Sequence, residues 1–152
     1  MSVAFRRESD EEHKEPRFEL PIPAGPNLVT ARGLSLIQAR VAELETESGG
    51  DEAVLADRKR TLNYWRTRLA TARVVAAPAG CEAAFGSRVA FTLNGATRTI
   101  DIVGDDEAEP NAGRIAFSAP LARALIGGAA GDVLDFGGKA GVIEIMDVAA
   151  IG

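Results

Sequence analysis

Acidic side chains carry the most suggestive chemistry in this chain. Glu45, Glu47, Asp51 and Glu52 surround Gly49-Gly50, and Asp105, Asp106 and Glu107 follow one another directly. Paired carboxylates bind Mg²⁺ or Ca²⁺ through oxygen, so both groups have the residue types for a divalent cation. The second group lacks the alternating ligand spacing of an EF-hand, which favours a solvated turn or an interface for basic residues. Acids at helix ends also serve as caps and solubilising groups, and for the first group that reading outweighs a metal site. Gly137-Gly138-Lys139-Ala140-Gly141 is glycine-rich, but no Gly-Lys-Ser/Thr ending opens a helix, so it is not a phosphate loop. His13 is the only histidine and has no second ligand nearby. Cys81 is the only cysteine, which excludes an intrachain disulfide and argues against a cysteine-based metal site. The expectation is a protein with no catalytic residues, no metal and no cofactor.

Length and charge bound what can position these groups. A chain of 152 residues holds one ordinary domain, or a small domain with an appendage. No apolar run approaches the ~18 residues of a membrane span. The charged N-terminus does not read as a secretory signal, so a cytoplasmic protein without a membrane partner is expected. A formal net charge of −5 argues against non-specific coating of nucleic acid. The charge is uneven: residues 31–74 are rich in arginine, whereas the final half is acidic. That asymmetry suggests two faces with different partners, or simply two solvated surfaces.

The elements follow from pattern. Residues 1–28 read as a disordered leader, with dense charge early and Pro16, Pro21, Pro23 and Pro26 blocking regular pairing. Thr30 can cap a helix whose apolar stripe is Leu34, Ile37, Val41 and Leu44. Gly49-Gly50 breaks it near Ser48. A second helix starts near Asp51, with Leu55, Leu62, Trp65, Leu69 and Ala72 on one seam and Arg58 interrupting it. Trp65 belongs to that seam, and Tyr64 points elsewhere. Two stripes joined by a short glycine turn predict an antiparallel helical hairpin over residues 29–76.

After a linker at Pro78 and Gly80, the pattern changes to strands. Arg88 to Leu93 and Thr97 to Val103 flank Asn94-Gly95, a favoured hairpin turn. Val133 to Phe136 and Val142 to Val148 flank Gly137-Gly138. Between these pairs, Ser118-Ala119-Pro120 opens a short helix that Gly127-Gly128 closes. The fold class expected is α+β: a helical hairpin, then an antiparallel-rich sheet of about five strands with one short helix over residues 82–152.

Three blocks of the last half also carry a family likeness. Val103-Gly104-Asp105-Asp106-Glu107-Ala108, the run from Ser118 to Gly127, and Gly131-Asp132-Val133 resemble the C-terminal domain of bacterial Gre transcription elongation factors in order and spacing. Thr30-Ala31-Arg32-Gly33 resembles the start of that family's first helix, and Thr71 to Val75 the end of its second. The resemblance implies an FKBP-like C-terminal domain anchored on the rim of the RNA polymerase secondary channel, with a coiled coil reaching into the channel. The docking loop implied is Ser118, Ala119 and Pro120, with Asp106 and Arg123 beside it. Ala116 and Ala119 stand where the family has serines.

The tip departs from the family. The cleavage run Asp-Leu-Lys-Glu-Asn-Ala-Glu-Tyr is absent, and Glu45, Glu47, Asp51 and Glu52 take its place. An arm from Thr30 to Ser48 reaches only ~27 Å, roughly 10–15 Å short of the family's arms. This shortening resembles the branch that includes regulators of nucleoside diphosphate kinase. The resemblance therefore implies a monomeric, non-enzymatic modulator of RNA polymerase that touches nucleic acid only indirectly, within the transcription complex. The alternatives are a true cleavage-stimulating factor using the tip acids, or a regulator of an enzyme unrelated to transcription.

Overall fold

The computed structural model describes residues 19–78 and 80–151. His13 and most of the expected leader fall outside the described residues. Strand β1 (Leu28–Val29) leads into helix α1 (Ala31–Thr46), and helix α2 (Glu52–Thr71) returns to strand β2 (Arg73–Val74). Thr30 caps α1 by accepting from the Gly33 amide at 3.0 Å. Asp51 caps α2 by accepting from the Val54 amide at 3.0 Å. Both caps occupy the first orphan donors of a helix, which fixes where each helix begins. Ile37, Val41 and Leu44 of α1 are buried as the stripe predicts.

The second stripe behaves differently. Leu55 is exposed, Leu62, Trp65 and Leu69 are half-buried, and the one buried residue of α2 is Arg68. Tyr64 is half-buried and edge-on to Trp65, with ring centroids 5.1 Å apart, so it is not the outlying side chain its position suggested. The helical seam is thus well packed along α1 and thin on α2 toward the tip.

The two chain ends of the hairpin are tied by a parallel ladder between β1 and β2, with Leu28 opposite Arg73 and Val29 opposite Val74. Asn27 and Leu28, assigned above to the leader, therefore take part in the fold. The Asn27 side chain donates to the Arg68 carbonyl at 2.8 Å, and Val29 is buried. Two residues of backbone pairing sufficed to order them, a signal too short for any periodicity to show.

The C-terminal unit is a five-stranded sheet in the order β5-β4-β3-β7-β6. Its strands are β3 (Ser87–Leu93), β4 (Ala96–Val103), β5 (Arg114–Ala116), β6 (Val133–Phe136) and β7 (Lys139–Ala150). All neighbours are antiparallel except β4 and β5. Asn94 and Gly95 turn the β3–β4 hairpin with φ of 52° and 85°, the left-handed pair that the sequence signals. Helix α3 (Pro120–Leu125) packs under the sheet, burying Ala122 and Leu125 against Val89, Phe91, Ile100, Ile102, Ile143 and Ile145. The opposite face carries Arg88, Asp101 and Arg114 in one cross-strand row, because Asp101 is registered with both neighbours.

Leu125 is fully buried while Val133 is mostly exposed. Leu125→Ala is expected to lower the unfolding free energy by about 2–5 kcal/mol. Val133→Ala should change it by no more than about 0.5 kcal/mol. Urea denaturation of the two variants measures both.

Candidate functional site

The acidic row Asp105-Asp106-Glu107 forms a single 3-10 turn between β4 and β5. Each of its carboxylates serves a different element. Asp105 accepts from the Ser118 hydroxyl at 2.6 Å, on the loop before α3. Asp106 accepts from Arg68 Nε at 2.5 Å and from the Tyr64 hydroxyl, both on α2. Glu107 accepts from Thr30 Oγ1 at 2.5 Å and from Arg32 Nη1 at 2.8 Å, at the start of α1. One turn of the sheet domain therefore grips both legs of the hairpin and the loop of α3.

The electrostatics of this joint are those of an interior. The Arg68 and Asp106 side chains are 2% and 8% exposed, and that of Glu107 is 4% exposed. Each charge faces its opposite within hydrogen-bond distance, which offsets part of the cost of removal from water, although Arg68 Nη2 is buried without an acceptor among the described residues. Glu107 also lies against the positive end of α1, where a carboxylate is favoured. Close approach is needed: a Cβ on Gly33 would stand 2.9 Å from Glu107 Oε1, and one on Gly104 would collide with the Leu28 carbonyl. Burial, then the hydrogen bond to Asp106, pushes the Tyr64 hydroxyl from 10.0 up to about 12.

Asp106, expected to face a partner, thus faces the hairpin instead. The other residues that the resemblance assigned to docking lie on and just before α3. Ser118, Pro120 and Arg123 are exposed and Ala119 is half-buried. Pro120 fills the first turn of α3, where no N–H is required, and no side chain caps that helix. The backbone of Ala119 instead bonds Ala116 at 2.9 Å, and the Asp105–Ser118 bond fixes the loop from outside.

The tip acids do not converge. Glu45 pairs with Arg66 at 2.8 Å, Glu47 lies 3.4 Å from Arg58, and Asp51 is occupied as the cap of α2. Glu52 lies in the first turn of α2. Arg58 also donates to the Gly49 carbonyl at 2.9 Å, so the polar interruption of the seam clamps the turn. Among the described residues no group of three or more His, Cys, Asp or Glu side chains is placed to hold a metal ion.

The architecture is a helical hairpin clamped onto a mixed sheet by one acidic turn. Residues 78–151 match the family model described as "Transcription elongation factor, GreA/GreB, C-term". The chain is 44% identical over 73 residues to the transcription elongation factor GreA of Ralstonia nicotianae, covering 44% of this chain and 46% of that one. It is 47% identical over 53 residues to GreA of Rhizobium etli, covering 34% of each. The matched part thus spans less than half the length of these relatives. Solved structures with related shape are the GreA factor homolog 1 (Gfh1) of Thermus thermophilus and a GreA/GreB factor from Nitrosomonas europaea. The first has 17% identity and a TM-score of 0.40, covering 83% of this chain and all of the other. The second has 20% identity and a TM-score of 0.39, covering 83% of this chain and 99% of the other. The C-terminal unit, residues 78–151, is a Gre-type domain by the family model and by the curated relatives.

Tyr64 is the only tyrosine in the chain, so it reports on the joint without interference. Its folded pKa lies above its unfolded value. Its contribution to stability is therefore complete below pH 10.0 and lost as pH rises through about 12. In Asp106→Asn, a phenolate titration followed by ultraviolet absorbance should find the pKa lowered from about 12 toward the ordinary value. Uncovering the buried Arg68 charge should also cost about 3–5 kcal/mol in urea denaturation.

Proposed function

We propose that this chain binds RNA polymerase through its sheet domain and modulates transcription without catalysing a reaction. The docking patch is the exposed Ser118-Ala119-Pro120 loop with Arg123. Asp106 acts behind that patch as a positioning residue. The sheet domain, in this reading the FKBP-like anchor of Gre factors, sits on the rim of the secondary channel and holds the hairpin at its mouth. The protein works as a cytoplasmic monomer and meets nucleic acid only inside the transcription complex.

One observation carries the non-cleaving half of this reading: the tip carboxylates are engaged by the chain's own groups. Glu45 and Glu47 face Arg66 and Arg58, and Asp51 caps α2. A second catalytic magnesium needs carboxylate oxygens free to converge on it. Reach supports the same conclusion, since the 16 residues of α1 extend only about 24 Å at helical rise.

Purified protein should be retained by immobilised core RNA polymerase. Ser118→Ala combined with Arg123→Ala should weaken retention about tenfold or more, in keeping with the loss of one or two polar contacts. No retention of the unmutated chain would remove the proposal. Added to a backtracked elongation complex, the protein should leave the RNA length unchanged, and shortening of the transcript would restore the cleavage reading.

A further inference from the structure

A cavity lies at the joint between the hairpin and the sheet domain. It measures about 600 Å³ and opens between the base of the hairpin, the linker after β2 and the sheet face away from α3. Val74, Val75, Val103 and Ile151 give it an apolar lining, and Arg32, Arg88 and Arg114 bring three guanidinium groups to it. Asp101 and Glu107 are the acids of that lining, so the wall carries one more cation than anion.

The three arginines are not equivalent. Arg88 forks onto Asp101, with Nε at 2.7 Å and Nη2 at 3.0 Å. Arg32 is held by the buried Glu107. Arg114 donates from Nη2 to Glu109, whose side chain is 60% exposed, so that bond is a surface pair of small worth. Arg114 Nε is buried and meets no acceptor among the described residues. The Arg114 side chain as a whole is 25% exposed, so its guanidinium can exchange the weak Glu109 contact for an incoming oxygen.

We propose that this cavity binds a small amphiphilic anion, with an oxygen head on Arg114 and a short aliphatic body against Val74, Val75, Val103 and Ile151. Its size is that of ordinary small-molecule sites, which favour junctions between structural units and combine an apolar lining with a few polar groups. Walls from the hairpin base and from the sheet close on the same ligand, so binding stabilises the docked arrangement by mass action. This site is independent of the polymerase reading, and its test does not require polymerase.

The full chain is titrated with hexanoate, with hexyl phosphate and with the neutral analogue hexanol, and followed by amide NMR and thermal unfolding. Expected are saturable shifts at residues 74–77, 86–88, 101–103 and 114, a rise in Tm with either anion, and weaker binding of hexanol. Tighter binding of hexanoate assigns a carboxylate head, and tighter binding of hexyl phosphate a phosphate head. Arg114→Ala should weaken the anions about tenfold, the scale of one hydrogen bond to a charged group. Ala76→Phe, at an exposed linker position on the cavity wall, should block binding while the free protein keeps its amide spectrum elsewhere. Absence of saturable shifts with both anions, equal binding of hexanol, or unchanged affinity in both variants overturns the proposal.

Discussion

The ion pair between Arg68 and Asp106 is the constraint on which the architecture depends. It joins the last turn of a long helix to a three-residue turn of the sheet domain, and both side chains are withdrawn from water. Such a pair adds little net stability over well-packed apolar groups, because desolvation offsets most of the attraction. What it adds is direction. An apolar contact tolerates sliding, whereas a guanidinium and a carboxylate lose heavily if either is left alone. The joint has few apolar contacts to compete with this, Val29 and Val103 being the buried ones beside it. The angle of the hairpin is therefore set by polar geometry more than by hydrophobic area.

The same turn links that angle to the exposed loop before α3. Asp105 steadies Ser118, Asp106 holds α2, and Glu107 holds the N-terminus of α1. Three consecutive carboxylates thus answer to three elements, and a shift at one is felt by the others through a turn only three residues long. The proposed role, one module on a large partner and a second module aimed from it, needs this kind of stiffness. A flexible linker would let the finger wander and would add an ordering cost to binding.

The hairpin itself is closer to neutral than its composition suggests. Arg58, Arg60, Arg66 and Arg68 of α2 each lie against a carboxylate: Glu47, Asp57, Glu45 and Asp106. The exposed members of this set add little stability. Their effect is to cancel the arginine-rich stripe that would otherwise attract a phosphate backbone, and to occupy the tip acids that would otherwise attract a cation. The same pairs thereby leave fewer free charges of either sign on the hairpin.

Much of this was written in local sequence. Thr30 and Asp51 mark helix starts because their side chains reach backbone donors three residues on. Asn94-Gly95 fixes a strand turn because few other pairs accept its backbone angles. Ile37, Val41 and Leu44 show their burial through spacing alone. The roles of Asp106, Tyr64 and Arg68 were not legible, since a charged residue has the same local signature whether it faces water, a partner or its own chain. Asp106 and Arg68 are 38 positions apart, and no periodicity connects them. Sequence determined the elements, because caps, turns and stripes act within a few residues; only the tertiary structure decided which charges meet, because that pairing depends on how distant elements are brought together.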